Sequence, residues 1–264
     1  MARATAPRPV ALVTGAARRI GREIALELAR GGHDIALHFR RSRGDAQATQ
    51  ADVQRLGVRC ELFAADLADD AQCEALVPAV ASRMGRIDAV VNNASTFEYD
   101  DAAGFSRAAM QRHWQANTAP PIQLARALHR QLSGCSEVGC VVNLSDQKLW
   151  NLNADYFSYT LSKAALDAAT RMLALALAPQ VRVCAVAPGV TALSGPMTES
   201  EFEKAQTLTP LKRASTPADI ARAVRFLIDA PAVTGTTLLV DGGQHLARQP
   251  RDVMFLAQDA LKGA

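Results

Sequence analysis

Residues 10–39 read VALVTGAARRIGREIALELARGGHDIALHF. The opening Val10–Thr14 is a short apolar run without alternation, the pattern of a strand buried on both faces of a parallel sheet. A turn follows at Gly15, after which Ile20, Ile24, Ala25 and Leu28 recur at helical spacing. Gly31 and Gly32 close that helix, and Asp34–Phe39 resume a strand. Strand, glycine turn, helix, strand is the opening of a dinucleotide-binding unit. There Gly15 lets the backbone turn tightly and Gly21 lets helix and strand approach. The helix start, with Arg18, Arg19 and Ile20, offers amides and a positive dipole end to a pyrophosphate. G-x-G-x-x-G itself is absent, so on its own this pattern serves a structural turn as well as a phosphate site.

The end of the second strand adds chemistry. Units that bind NAD often place a carboxylate there for the ribose hydroxyls. Here the residues are His38, Phe39, Arg40, Arg41 and Ser42, with no carboxylate before Asp45. Two guanidiniums and a hydroxyl suit a 2′-phosphate, because Arg binds phosphate bidentately. A solvated basic turn would read the same way; the placement after the strand favours NADP(H).

Outward from this unit, helix and strand keep alternating. A helix over 45–56 precedes a strand over 59–64 that ends beside Asp66 and Leu67. Residues 69–84 form a helix with an acidic first turn, and 89–91 a strand running into Asn93, Ala94 and Ser95. Small polar residues at the carboxyl end of a parallel strand lie where such sheets bind ligands. A long helical stretch, 107–132, contains Pro120 and Pro121, where a kink is expected, and Asn117, which suits a surface position equally well. The strand Val141–Val142–Asn143–Leu144 leads to an Ala-rich helix ending near 178, and 181–186 form another strand. After Pro188, Gly189 and Val190 comes an irregular segment, then a short helix over 198–207 capped by Thr198, a candidate substrate lid. A helix over 217–230 with Thr216 as its cap, a last strand over 237–240 and a Gly242–Gly243 turn complete the pattern. In the tail 247–264, Val253, Leu256, Ala257 and Ala260 follow helical spacing and are expected to dock on a neighbouring subunit. The whole reads as one α/β domain over 1–264, with a flexible lead at 1–9. It is a doubly wound parallel sheet of about seven strands, with helices on both faces.

Bulk properties narrow the function. A net charge of +3, dispersed along the chain, argues against a nucleic-acid or membrane-surface role. The five cysteines are scattered without a C-x-x-C pair, which suggests neither a zinc site nor a disulfide framework and fits a reducing compartment. The opening MARATAPRPV has charge but no apolar core, unlike a secretory leader, so the cytoplasm is the expected location.

Tyr159 and Lys163 sit four residues apart on one helical face. A free phenol has a pKa near ~10, and a neighbouring ammonium would favour its phenolate and fit it for acid–base work. Alone, such a pair is common on solvated helix faces. Together with Thr14–Gly15…Gly21, Asn92–Asn93–Ala94, Asn117 and Pro188–Gly189, in that order, it resembles the short-chain dehydrogenase/reductases over almost the whole chain. The resemblance implies that Tyr159 exchanges the proton. It implies that Lys163 holds the nicotinamide ribose and lowers the Tyr159 pKa, that Asn117 orders a water-mediated proton path, and that the protein is a homotetramer.

Two departures from the usual pattern, Arg19 in place of a middle glycine and Asp146 in place of the catalytic serine, resemble the pteridine reductases and the related dihydromonapterin reductases. Ser145 is adjacent to the serine position but out of register by one. Residues 37–42, the run Asn93–Phe97 and the tail through Asp241, Gln244 and Leu246 agree with that branch. It implies that Ser95 and Phe97 contact the cofactor and stack on a pterin. On residues alone, Asp146 could equally cap a turn. As an anion it would oppose phenolate formation and keep Tyr159 a proton donor, in a coupled group with Lys163. The function implied is NADPH-dependent reduction of a dihydropterin. A ketone or 3-oxoacyl reductase of the same fold, and a cofactor-binding sensor without turnover, are the alternatives. Trp150 is read as a packing aromatic in a loop, although it could line the same cleft.

Overall fold

A computed structural model describes residues 7–193 and 197–262. Its strands are β1 (Val10–Val13), β2 (Asp34–Phe39), β3 (Cys60–Ala64), β4 (Ala89–Asn92), β5 (Gly139–Leu144), β6 (Val181–Pro188) and β7 (Thr237–Val240). They form one parallel seven-stranded sheet in the order β3-β2-β1-β4-β5-β6-β7. The helices are α1 (Arg19–Arg30), α2 (Arg43–Gln54), α3 (Asp70–Met84), α4 (Arg107–His113), α5 (Ala119–Leu132), α6 (Phe157–Ala176), α7 (Glu199–Thr207), α8 (Pro217–Asp229) and α9 (Val253–Lys262).

Two apolar layers sandwich the sheet. On one face Ile24 and Leu28 of α1, Val53 of α2 and Ile220, Val224 and Leu227 of α8 are buried against it. On the other lie Leu76, Val77 and Val80 of α3, Leu124 and Leu128 of α5 and Ala174 of α6. Because both faces are covered, the central strands are buried at every position, as β1 and β5 are, and the one polar side chain of β5, Asn143, is hydrogen-bonded to Asn92 and Thr170. The strand order reverses between β1 and β4, and the carboxyl ends of the strands there open a crevice that loops can line.

The helix starts follow local chemistry. Asp69 accepts from the Gln72 amide at 3.0 Å, and Thr198 and Thr216 each close a reciprocal cap with the carboxylate three residues on. At α6 the cap is tertiary: Asp100 accepts from the Ser158 amide at 2.9 Å and also from the Ser158 hydroxyl.

The structure refines three expectations. The break in 107–132 is a π-helical turn, Trp114–Thr118, just before the prolines; the Ala119 amide reaches back five residues to the Trp114 carbonyl. Pro120 and Pro121 then fall in the first turn of α5, where no amide donor is missed. The tail docks on its own chain: Ala257 and Val253 of α9 pack with Ala205 of α7, and Met254 packs on Tyr156 and Tyr159. Of the lead at 1–9, residues 1–6 lie outside the described residues, while the Pro9 carbonyl accepts from the Asp34 amide at 2.9 Å. Part of the expected lid, 194–196, is also outside them; α7 itself is packed against α9. No described helix is long and apolar enough to cross a membrane.

Candidate active site

A cavity of about 790 Å³ runs along the crevice from Gly15 to Met254. Its first part is the turn after β1. Gly15 has φ +62, a left-handed conformation that a side chain would strain, and a Cβ on Gly21 would lie 2.4 Å from the Gly15 carbonyl oxygen. The Asn93 amide nitrogen donates to the Thr14 and Gly15 carbonyls at 2.8 and 3.2 Å, and the Thr14 hydroxyl accepts from the Asn93 and Ala94 amides. These bonds fix the loop after β4 against the turn after β1.

His38 lines the cavity with its ring tied to the backbone. Its ring is buried, with Nδ1 accepting from the Gly15 amide at 3.1 Å and Nε2 facing the Ala65 carbonyl at 3.1 Å. Those partners require the proton on Nε2. Burial takes its pKa down to about 4, so the ring is neutral and acts as a spacer that sets the Gly15 turn.

The N-cap of α1, Arg18, has no side-chain cap, so the first amides of the helix face the cavity without a protein partner. Arg18, Arg19, Arg40 and Arg41 line the same region, and none has a carboxylate partner among the described residues. Arg19 has φ +56, where glycine is the ordinary choice, and donates to the Leu193 carbonyl across the cavity mouth. Ile20, Ser42, Asp66 and Leu67 line this end as well. An uncapped helix start lined by guanidiniums without carboxylate partners among the described residues suits an anion, and the length of the crevice fits a phosphorylated dinucleotide.

The far end holds the acid–base group. Asp146 divides its oxygens: Oδ1 accepts from the Lys148 amide at 2.9 Å, capping a short 3-10 turn, and Oδ2 accepts from the Tyr159 hydroxyl at 2.7 Å. Both readings of Asp146, turn cap and partner of the phenol, therefore hold at once. Lys163 Nζ donates to the Leu144 carbonyl at 2.7 Å and lies 5.6 Å from the Tyr159 ring centre. Burial raises the Asp146 pKa. Burial, then the Asp146 charge and hydrogen bond, push the Tyr159 phenol well above its ordinary value. Burial draws Lys163 down to about 8. The lowering of the Tyr159 pKa by Lys163 is thus not what this arrangement gives. The carboxylate is nearer and acts in the opposite direction, and the phenol keeps its proton.

Asn117 is buried, not on the surface. Its Oδ1 accepts from Ser95 Oγ and the Thr96 amide at 3.0 and 2.7 Å; its Nδ2 donates to the Thr96 carbonyl and Ser162 Oγ, both at 3.0 Å. With its donors and acceptors so filled, it staples the loop after β4 to α6 and holds Ser95 and Phe97 in place. Phe97, half-exposed, stacks on Tyr156 at 4.1 Å between ring centres and meets Tyr159 edge-on at 4.7 Å. Ser145 Oγ is buried without a partner in the structure and makes no bond to Tyr159. Trp150 is exposed and lies outside the cavity wall. Past β6, Gly189 abuts Asp241, where a Cβ would come within 2.7 Å, and the Val190 amide donates to Gln244 Oε1 at 3.1 Å.

Sequence reasoning missed a wall. Tyr156, Lys148, Asp252 and Met254 all face the cavity. Tyr156 has φ +55 at the start of α6 and its hydroxyl meets Met254 Sδ at 3.9 Å; burial raises its pKa to about 12. Lys148 Nζ pairs with Asp252 at 3.0 Å, and Arg251 grips the buried Asp155 through two nitrogens. The one signal available was the apolar spacing of the tail, which marks a helix without saying what it touches. Among the described residues no cluster of His, Cys, Asp and Glu could hold a metal.

Known proteins share this architecture. A family model described as Enoyl-(Acyl carrier protein) reductase matches residues 15–245. The crystal structure of FolM alternative dihydrofolate reductase 1 from Brucella suis, in complex with NADP, superposes with a TM-score of 0.87 at 40% identity, covering 92% of this chain and 96% of that one. Pteridine reductase 1 of Leishmania tarentolae is 32% identical over 91% of this chain and 97% of its own. A protein named as ketoacyl reductase 2 of the granaticin polyketide synthase in Streptomyces violaceoruber is 35% identical over 90% of this chain and 96% of its own.

Proposed function

The chain belongs to the short-chain dehydrogenase/reductase family, and on that premise we propose that it reduces a dihydropterin to the tetrahydropterin with NADPH. The observation that carries this reading is the 2.7 Å bond from the Tyr159 hydroxyl to Asp146, set beside the Phe97–Tyr156 stack. NADPH, when bound, supplies the hydride. Its pyrophosphate would lie on Gly15–Gly21 and the start of α1, with the 2′-phosphate on Arg40, Arg41 and Ser42. Asp66 and Leu67 would flank the adenine. Asn93, Ala94, Ser95, Tyr159 and Lys163 would hold the nicotinamide ribose, and Pro188, Gly189 and Val190 would border the ring. Four arginines without a carboxylate partner among the described residues, beside uncapped amides, support the choice of the phosphorylated cofactor.

The chemistry assigned to the chain is proton delivery and orientation. Tyr159 keeps its proton until a basic ring nitrogen arrives, then donates it. Asp146, bonded to the phenol, stabilises that geometry and passes a replacement proton from solvent on to the phenolate, which restores the Tyr159 hydroxyl. Phe97 offers a flat apolar face to a flat heterocycle. The similarity to a ketoacyl reductase supports a second reading, reduction of a ketone. That reaction calls for a donor to the substrate carbonyl where this chain has Asp146, and an ionised carboxylate accepts only. A homotetramer completes the proposal: Leu161, Met172 and Leu175 leave an apolar stripe exposed on α6, the kind of face a second copy covers. The five unpaired cysteines suit a reducing cytoplasm.

The test is NADPH oxidation by the purified protein with dihydromonapterin, dihydrobiopterin and a simple ketone in parallel. Turnover confined to the pterins, reduced about 100-fold or more in Tyr159→Phe, is the expected result. Turnover on the ketone alone would overturn the pterin assignment. NADPH binding without turnover on any of them would make the protein a sensor.

A further inference from the structure

We propose that Asp100 is a positioning residue for proton delivery: it fixes the first turn of α6 against the loop that carries Phe97, and so holds the Tyr159 hydroxyl on Asp146. This rests on the reading of Tyr159 as the proton donor and deepens it. Asp100 Oδ1 accepts from the Ser158 amide at 2.9 Å, Oδ2 accepts from the Ser158 hydroxyl, and the Asp100 carbonyl accepts from the Phe157 amide at 3.1 Å. Ser158 is wholly buried and immediately precedes Tyr159. Asp100 itself does not line the cavity, so it acts on the reaction only through what it holds.

Tyr159 is in the first turn of α6, which begins at Phe157. Amides there have no partner inside the helix, and the turn frays unless acceptors come from outside it. No local cap supplies them. Tyr156, at the cap position, has φ +55 and makes no side-chain cap. The carboxylate of Asp155 before it is occupied by Arg251 and the Asp252 amide. One turn further on, the helix is held separately: Ser162 Oγ accepts from Asn117 Nδ2 at 3.0 Å, and the Ser162 carbonyl accepts from Thr118 Oγ1 at 2.9 Å. Ser158 and Ser162 share one helix face, as do Tyr159 and Lys163 beside them. Two grips a turn apart set the roll of α6 about its axis. With Ser162 alone, the first turn can swing and takes Tyr159 with it. Lys163 keeps its own tether, the Leu144 carbonyl at 2.7 Å.

The simplest other role for Asp100 is a cap that serves stability alone. An Asp, Ser or Thr at 156 would do that locally. The residue there is instead Tyr156, stacked on Phe97 at 4.1 Å, and the cap comes from the loop of Phe97 itself, 58 positions upstream of Ser158. Phe97 in turn meets Tyr159 edge-on at 4.7 Å. The loop that offers a ring to the substrate thus also sets the phenol, and a misplacement of about 1 Å at such a group can slow a reaction on the order of 100-fold.

The experiment measures kcat in water and in D2O at saturating NADPH, with whichever of dihydromonapterin, dihydrobiopterin and the ketone turns over fastest. Asp100→Ala should lower kcat about tenfold or more and raise the solvent isotope effect about twofold, as proton transfer becomes the slow step. NADPH affinity should stay within about twofold, because Lys163 is held elsewhere. Asp100→Asn keeps an acceptor for the Ser158 amide and offers its own amide to the hydroxyl, so kcat should return to within about threefold of wild type. Ser158→Ala, which leaves the amide bond in place, should fall between. A cap serving stability alone would lower the Tm of Asp100→Ala but leave kcat and the isotope effect of the folded protein unchanged; that outcome overturns the proposal. So does an Asp100→Asn protein as slow as Asp100→Ala. If Asp100→Ala does not fold, Ser158→Ala carries the test, and a wild-type kcat and isotope effect there overturn the proposal. When the wild-type protein turns over and the variants match it, only this inference falls. If the wild-type protein binds NADPH and reduces nothing, the reading of Tyr159 as proton donor falls and takes this inference with it.

Discussion

At the scale of single residues, the cavity is set by side chains that are themselves held. His38 shows this best, since both of its ring nitrogens serve the backbone. Its ordinary pKa of 6.5 falls to about 4 on burial. As pH drops below 6.5, the unfolded chain takes a proton there that the folded chain refuses until about pH 4. The stability His38 contributes is therefore complete above 6.5 and lost through that window, by up to ~3 kcal/mol. Urea unfolding at pH 7.5 and pH 4.5 should show a smaller difference in His38→Gln than in the wild-type protein, by roughly that amount. Equal differences would mean that the ring is solvated in the folded state. Tyr159, Lys163 and Asn117 were legible as residues; what they touch was not. The carboxylate that governs Tyr159 is thirteen positions upstream, in a turn whose shape depends on packing.

Among the elements, local rules held where caps are local. Thr198 and Thr216 both lie three residues before a carboxylate, and both cap as their spacing foretells. The seven-stranded parallel sheet followed from the same local patterns, because apolar runs and helical periods alternate without a gap. The π-helical turn at Trp114–Thr118 had no such signature. It exists to bring Asn117 inward, and the partners that reward it, Thr96 and Ser162, come from other elements. Asn117→Ala would leave the Thr96 amide and carbonyl and the Ser162 hydroxyl short of partners. A loss of about 2–3 kcal/mol in urea denaturation is expected, with a larger relative loss of turnover as Ser95 and Phe97 lose their anchor. A stability change below about 0.5 kcal/mol would show that water replaces the amide at no cost.

For the molecule as a whole, the site is drawn from both ends of the chain. The glycine turn and the basic end of the cavity come from the first strands and helices, whereas the wall beyond Tyr159 needs Asp252 and Met254. Ending the chain after Gln249 is expected to weaken pterin binding by at least about tenfold while changing NADPH affinity far less. Equal losses for both ligands would show that the tail supports the sheet and not the substrate end. No pattern in the sequence links Lys148 to Asp252, because an ion pair across 104 residues leaves no periodicity behind.

That division of labour gives the protein a history each time it is made. The ribosome delivers Gly15 long before Met254, so the glycine turn exists in the nascent chain well before the wall that closes the far end of the cavity. A protease clipping the tail from a finished molecule reverses the order, taking away that wall and leaving the glycine turn in place.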